Sequence, residues 1–324
     1  MNTKRYCGMI ITMIFIFECP ALGQEAKSFL SLQDILSTWQ NNYGELKSMK
    51  VSYTEELISA EPPPNDPNAT KRMAKWVYVE RIEEGKKFRG KSSTSMVKPA
   101  KVEDSFSDIN NVDEMTFDGI QQRRYFASQK AGQIFVNPML QNSATVNRLK
   151  RYFMSEPYLE WTGSEIRETK ESIFSRSIKT ALSDPNQIIS VRPDLEEVAG
   201  QICHVVESYR KDTPKEKVAT VIWVAHEKGM LPIKYQRIGS EGIVHEITVE
   251  QIDYAGTGNG GLWFPKKAYE MDKSPSLGII KTELNVLEFV PNIKVEPNTF
   301  KLDFPNGTQV YDEELGISYT VGVK

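Results

Sequence analysis

The chain has 324 residues, a net charge of −3 and 40% hydrophobic residues, and these values exclude several classes of protein. A nucleic-acid-binding protein needs a strongly basic face, which 40 basic and 43 acidic residues do not indicate. A chain of this length can bury one extended hydrophobic core or two smaller ones, so it does not depend on disulfide bonds to fold.

The N-terminal residues predict export. Two basic residues precede the apolar run Met9 to Phe17, which is too short to span a bilayer, and a small-x-small cleavage sequence ends at Gly23. We therefore expect residues 1–23 to be a signal peptide and residues 24–324 to be periplasmic or otherwise extracytoplasmic, with no transmembrane segment. A retained anchor would need a longer apolar run, and lipidation of Cys19 stays open.

Cysteine usage agrees with a chain that folds by packing alone. Of the three cysteines, only Cys203 lies outside the predicted signal peptide, so no intramolecular disulfide is expected. The apolar neighbours of Cys203 predict a buried small side chain rather than a reactive thiol.

One amphipathic helix is predicted after the signal peptide. Apolar residues recur at helical spacing from Leu32 to Tyr43, with polar residues on the other side. Ser31 is a natural N-cap and Gly44 ends the pattern. An amphipathic helix next to a sheet usually packs on it.

Strands follow the helix, with one interruption. A helical insertion is predicted near 138–182, where the likeliest helices cover 146–154 and 173–182. The strands before it are predicted over Met49–Ile58, Lys75–Ile82, Lys86–Lys91, Met115–Asp118 and Gln121–Ala127.

The second half of the chain is a row of strands joined by short turns. They are predicted over Cys203–Ser208, Val218–Ala225, Leu231–Ile238, Ile243–Tyr254, Leu262–Met271 and Ile279–Phe289. Such short connections allow only antiparallel pairing, because a parallel return needs a crossover of about a dozen residues. We therefore predict an α+β fold in which residues 24–324 form a single domain around a large antiparallel sheet.

Several turn and strand motifs resemble those of a known family. They are Phe117-Asp118-Gly119, Gly200-Gln201-Ile202-Cys203-His204-Val205-Val206, Ile222-Trp223-Val224, Lys228-Gly229, Leu231-Pro232-Ile233-Lys234, Leu262-Trp263-Phe264-Pro265, Phe304-Pro305-Asn306-Gly307-Thr308 and Val310-Tyr311-Asp312. In this order, over most of residues 28–312, they resemble the LolA-like family of exported lipoprotein carriers, which includes the RseB-type stress sensor.

The resemblance implies an open half-barrel whose curved sheet is covered on its concave face by helices. A cleft between the sheet and the helices would then bind a hydrophobic ligand, either a lipid or a lipidated protein segment. The aromatic residues that we expect near the ligand are Trp76, Tyr78, Phe126, Trp223 and Tyr235. For any one of them, filling the core between sheet and helix is the more common role. The same scaffold could alternatively serve as a stress-sensing module that binds an envelope protein partner.

Catalytic and cofactor motifs are weak. Residues 256–261 match the G-x-G-x-x-G pattern, but a strand-like sequence follows where a nucleotide site needs a helix. His204, His226 and His245 lack the spacing of a helical zinc site, although they could still meet across strands. The sequence therefore predicts a non-enzymatic protein with no cofactor and no metal site.

Overall fold

The computed structural model describes residues 30–62, 65–68, 76–99, 101, 112–135, 153, 158–161, 166–169, 187–210, 218–239, 242–256, 261–274 and 278–322. These residues contain one α-helix, α1 (Leu32–Tyr43). The strands of the first half are β1 (Ser48–Glu61), β2 (Trp76–Glu84), β3 (Lys87–Ser95), β4 (Val112–Phe117), β5 (Gln122–Phe126), β6 (Ala131–Phe135), β7 (Tyr158–Trp161) and β8 (Ile166–Thr169). Those of the second half are β9 (Gln187–Val191), β10 (Glu196–Val198), β11 (Gln201–Arg210), β12 (Val218–Ala225), β13 (Leu231–Gly239), β14 (Gly242–Ala255), β15 (Leu262–Ser274), β16 (Gly278–Pro291), β17 (Gln309–Asp312) and β18 (Ile317–Thr320).

Sixteen of these strands form one curved sheet that does not close into a barrel. Its order is β10-β11-β12-β13-β14-β15-β16-β1-β2-β3-β4-β5-β6-β17-β18, and β9 also pairs with β11. The centre of the sheet is the antiparallel pair β1 and β16, which joins the two halves of the chain. The predicted large antiparallel sheet is therefore confirmed, with one exception, because β17 lies parallel to β6.

Helix α1 begins with a capping box. The Ser31 hydroxyl accepts a hydrogen bond from the Asp34 backbone N–H, and the Asp34 carboxylate accepts one from the Ser31 backbone N–H at 2.9 Å. The hydrogen bonds from Ser31 hold the pKa of Asp34 below its usual range. At the other end, the Tyr43 hydroxyl donates to the backbone carbonyl of Trp263 at 3.0 Å. The helix is thus tied to the start of β15.

The main hydrophobic core joins the helix to the centre of the sheet. Ile35, Trp39 and Tyr43 of α1 belong to the same cluster as the central strand β1, in which Met49 and Val51 are almost fully buried. A second, smaller cluster lies on β3 and β4 and consists of Phe88, Met115 and Phe117. One helix, rather than several, packs with the sheet in the described part of the chain.

The segment between β16 and β17 crosses one side of strands β3 to β6. Arg89 and Arg123 donate hydrogen bonds to the backbone carbonyls of Thr299 and Leu302, at 3.4 and 3.1 Å. The Phe304 ring lies so close to Gly132 that a Cβ at that position would meet it at 2.8 Å. This crossing carries the chain from the centre of the sheet to its far edge.

The predicted insertion is only partly described. Strands β7 and β8 pair with each other as a separate hairpin within it. The predicted helices at 146–154 and 173–182 fall outside the described residues, apart from Phe153, which is buried. The predicted signal peptide at 1–23 and most of the loop at 256–261 also fall outside them.

Candidate functional site

The central strands have one apolar and one polar face. Side chains alternate along a strand, and directly paired residues of neighbouring strands share a face. We call the side of β1 that carries Met49, Val51 and Tyr53 the apolar face, and the opposite side, which carries Lys50 and Ser52, the polar face. Helix α1 shares its hydrophobic cluster with the apolar face.

The polar face is covered with ion pairs in the middle of the sheet. Lys267 of β15 contacts Glu283 at 2.9 Å and Glu250 at 3.0 Å, and Lys50 contacts Glu288 at 2.8 Å. Hydrogen bonds to Glu283 and Glu250 raise the pKa of Lys267. These charged side chains are partly exposed, so this face of the central strands suits contact with water.

The apolar face changes character along its strands. Val249, Ala268 and Leu284 are paired neighbours on three strands, and all of them are buried. One step further from α1, the neighbouring row contains half-buried polar residues beside apolar ones. This row consists of Tyr235, Ile247, Glu270 and Thr282. On strands β13 to β16 the apolar face therefore runs from a row of buried aliphatic residues to a row that contains half-buried polar residues.

A histidine–carboxylate pair marks this polar end. His245 Nε2 lies 3.0 Å from Glu270 Oε1, and both side chains are mostly buried. The Tyr235 ring packs edge-on against the His245 imidazole, with 5.6 Å between the ring centroids. Arg237 and Asp272, the paired neighbours of His245, are exposed. This cluster of charged, polar and aromatic groups can orient the polar end of a bound amphiphile.

The five aromatic residues predicted to approach a ligand divide between the two faces. Pairing places Tyr235 and Phe126 on the apolar face, where both are half-buried. Trp76, Tyr78 and Trp223 lie on the polar face and are buried. Trp76 and Tyr78 are stacked on each other, 6.1 Å apart. A contact between any of the five and a ligand stays a prediction.

Trp223 is held by a small polar network. Its indole N–H donates to Glu196 Oε2 at 2.7 Å, and the Lys234 ammonium lies 5.0 Å above its ring. Arg192 bridges Glu196 and Glu207, donating to the latter from Nε at 2.8 Å. The hydrogen bond from Trp223 is the main reason why the pKa of Glu196 is lowered. Trp223 therefore anchors the hairpin of β10 and β11 to β12.

This network predicts a pH-dependent contribution to stability. Because the pKa of Glu196 is lowered in the folded state, its contribution is fully present above its ordinary pKa of 4.5 and is lost as the pH falls through the folded-state value. We expect Glu196→Gln to lower the free energy of unfolding by about 1 kcal/mol or less at pH 7, because the pair is partly screened by solvent. Urea unfolding of both proteins between pH 7 and pH 3 should show this difference shrink below pH 4.5. A difference that is constant over the whole range would contradict the assignment.

Two of the three histidines meet, which the linear spacing did not predict. His204 of β11 is buried, and its Nε2 lies 2.9 Å from Nδ1 of His226, which is exposed on the turn after β12. Burial lowers the pKa of His204, and the proximity of His226 adds to this effect. The signal was available only through the pairing of β11 with β12, which brings residues 22 positions apart into contact.

The thiol of Cys203 is structural. The residue is fully buried in the main core, as its sequence context predicted, and burial raises the pKa of the thiol to about 12. A thiol with a raised pKa is a poor nucleophile at neutral pH. Within the described residues there is also no group of three or more His, Cys, Asp or Glu side chains that could hold a metal ion.

Helix α1 is not a transmembrane helix. No helix in the described ranges is both long enough and apolar enough to traverse a bilayer.

Comparison with solved structures finds similar chains at low sequence identity. No protein-family model matches the sequence, and no characterised protein matches it either. An outer membrane lipoprotein-sorting protein domain from Vibrio parahaemolyticus is 13% identical, with a TM-score of 0.42 over 82% of this chain and 94% of that one. A LolA superfamily protein from Nitrosomonas europaea is 12% identical, with a TM-score of 0.41 over 85% of this chain and 100% of that one.

A third structure is a complex of MucA and MucB from Pseudomonas aeruginosa. It is 10% identical, with a TM-score of 0.25 over 80% of this chain and 99% of that one. These likenesses concern the fold alone. In fold, the chain resembles LolA-like proteins.

Proposed function

We propose that this chain is an exported, non-enzymatic binding protein that holds a hydrophobic ligand, a lipid or a lipidated protein segment, between its apolar sheet face and α1. The observation that supports this most is the gradient along the apolar face. Buried aliphatic residues near the helix give way to the half-buried row that contains Tyr235 and Glu270.

A gradient of this kind suits an amphiphile. Acyl chains gain about 0.8 kcal/mol for each methylene removed from water, so they favour the region near α1. A polar head group would lose its hydration there, and it is better placed beside His245 and Glu270, which offer charged and hydrogen-bonding groups. The ligand would therefore lie along the strands, with its polar end away from the helix.

The half-buried side chains at the margin of the core are where such a ligand would make contact. They are the apolar residues packed against the main cluster without being fully buried, among them Leu32, Leu36, Val77, Tyr235 and Ile238. Phe126 occupies the same face on β5, beneath the guanidinium of Arg124, whose centre lies 4.1 Å from the ring. Of the five predicted aromatic residues, Tyr235 and Phe126 would contact the ligand.

Lipid extraction of the purified mature protein tests the proposal directly. We expect acyl-containing molecules to co-purify in a near-stoichiometric amount and to be detected by native mass spectrometry. A protein that carries no lipid, and that does not bind a fluorescent fatty acid after delipidation, would refute the proposal.

A pair of tyrosine variants tests which face binds the ligand. Tyr235→Ala removes a half-buried ring from the apolar face and should weaken binding of the fluorescent fatty acid by about tenfold, the equivalent of about 1.4 kcal/mol. The matched control is Tyr269→Ala, which removes a half-buried ring from the polar face of β15, next to Lys281. Equal affinities in the two variants would place the ligand elsewhere, provided that both give the wild-type circular dichroism spectrum.

A protein partner is the second candidate function, and one observation favours it. Large apolar side chains are exposed on the hairpin of β17 and β18, at the edge of the sheet: Tyr311, Leu315, Ile317 and Tyr319. An envelope protein could bind there while the apolar face stays empty. Co-purification of a defined protein in place of lipid, lost when Leu315 and Ile317 are both changed to Ser, would support this candidate.

Export itself can be checked on the mature protein. We propose that cleavage occurs after Gly23, so that N-terminal sequencing of the secreted form reads Gln24 first. A form that retains Cys19 at its N-terminus would show a lipidated protein instead.

A further inference from the structure

The imidazoles of His204 and His226 are hydrogen-bonded to each other, so that two nitrogen ligands for a metal ion lie side by side. Their Nε2 and Nδ1 atoms lie 2.9 Å apart, and the ring planes are inclined by 61°. Two nitrogen atoms that each lie about 2.05 Å from a metal, at a right angle, are separated by about 2.9 Å. A metal ion bound by both nitrogen atoms would replace the proton of the hydrogen bond between them, with little change in their separation.

The two histidines combine rigidity with access. His204 projects from the interior of β11, where pairing with Val224 of β12 fixes its backbone, and it is only 6% exposed. His226 opens the short 3-10 turn His226–Lys228 and is exposed. A metal ion can therefore arrive from solvent, and the His226 ring has room to turn its lone pair toward an ion held by His204. Water molecules would complete the coordination.

The turn that carries His226 is held in place from the other side. The Tyr43 hydroxyl contacts the Lys228 carbonyl at 3.4 Å, and the Asn42 side chain lies where a Cβ on Gly229 would be, at 2.4 Å. The Lys228 ammonium packs 3.8 Å from the centre of the Trp263 ring. The position of His226 relative to His204 is thus fixed by the docking of α1, which reduces the entropy cost of bringing the two ligands together.

We propose that His204 and His226 form a binding site for Cu(II) or Ni(II). Imidazole nitrogen suits these ions, and a given site of this type binds Cu(II) more tightly than Ni(II). The third histidine, His245, lies beside Glu270 and takes no part in the site.

Because the chain has three histidines, it supplies its own control. Isothermal titration of the untagged, full-length mature protein with NiCl2 should show one ion bound per chain. His226→Ala should weaken this binding at least tenfold, whereas His245→Ala should leave it unchanged. His226 is exposed, so its substitution should preserve the fold, which circular dichroism would verify.

Electron paramagnetic resonance with Cu(II) provides the second measurement. The spectrum of the wild-type protein should show hyperfine coupling to two nitrogen nuclei, and that of His226→Ala should not. The site would be refuted by an absence of Ni(II) binding, by binding that survives in His226→Ala, or by binding that is lost in His245→Ala.

Discussion

Trp39→Ala is expected to lower the free energy of unfolding by about 3–5 kcal/mol, the cost of truncating a large buried aromatic side chain. Trp39 is 2% exposed, lies 6.3 Å from the Tyr43 ring and belongs to the cluster that joins α1 to the sheet. Its removal leaves a cavity between the helix and the central strands. Urea unfolding followed by far-ultraviolet circular dichroism measures this loss without depending on tryptophan fluorescence.

The neighbouring residue provides the control for Trp39. Gln40 is exposed on the same helix, and alanine has the higher helix propensity. Gln40→Ala should therefore change the free energy of unfolding by no more than about 0.5 kcal/mol. If Trp39→Ala were equally harmless, α1 would not be part of the core, and the proposed binding region beside it would lose its cover.

Gly278→Ala is the second substitution with a large expected effect. Gly278 begins β16 with a φ of +77°, and a Cβ there would lie 1.8 Å from the backbone carbonyl oxygen of Glu61 at the end of β1. A backbone atom cannot rotate aside as a side chain can, so the two central strands would have to separate at this end. We expect a loss of about 3 kcal/mol or more in the free energy of unfolding.

A second glycine with nearly the same φ serves as the control. It separates the steric clash of an added Cβ from the backbone strain of a positive φ. Gly307 has a φ of +82°, but a Cβ there would meet nothing within 4 Å. Gly307→Ala should therefore cost only the conformational strain, about 1–2 kcal/mol. If the two variants were equally destabilised, the approach between Gly278 and Glu61 would not be as close as the structure indicates.

The strands of this fold were predictable because the residues within them and the turns between them both indicate β-structure. The predicted strand Val218–Ala225 coincides with β12, and the predicted strand Leu231–Ile238 differs from β13 by one residue. Both are rich in β-branched and aromatic residues and are separated by a turn with a left-handed Gly229, φ +65°. The same reasoning predicted α1 from its capping residue and its apolar stripe.

The face on which a side chain lies was not predictable. Register shifts occur between Ser52 and Tyr53 and between Trp223 and Val224, and each bulge changes the alternation along a strand. Trp223 illustrates the consequence. It belongs to the main hydrophobic cluster, as its aliphatic sequence context suggests, but its indole also donates a hydrogen bond to Glu196 on the polar face. Candidate ligand contacts could be predicted from residue type. The side of the sheet on which each of them lies depends on the strand register, which could not be predicted.

Contacts between distant parts of the chain were also beyond the sequence. The parallel pairing of β17 with β6 depends on the segment after β16, which crosses four strands. The sequence of Gln309–Asp312 does not indicate which strand it pairs with. The meeting of His204 and His226 depends in the same way on a cross-strand register.

The seam between β1 and β16 has a consequence for how the protein is made. Met49 pairs with Pro291, so the middle of the sheet cannot assemble until the chain as far as residue 291 has left the ribosome. Pairings between such remote segments form slowly, because the intervening loop must close first. An exported polypeptide would benefit from this delay, since it could remain unfolded during translocation and complete its sheet only after delivery across the membrane.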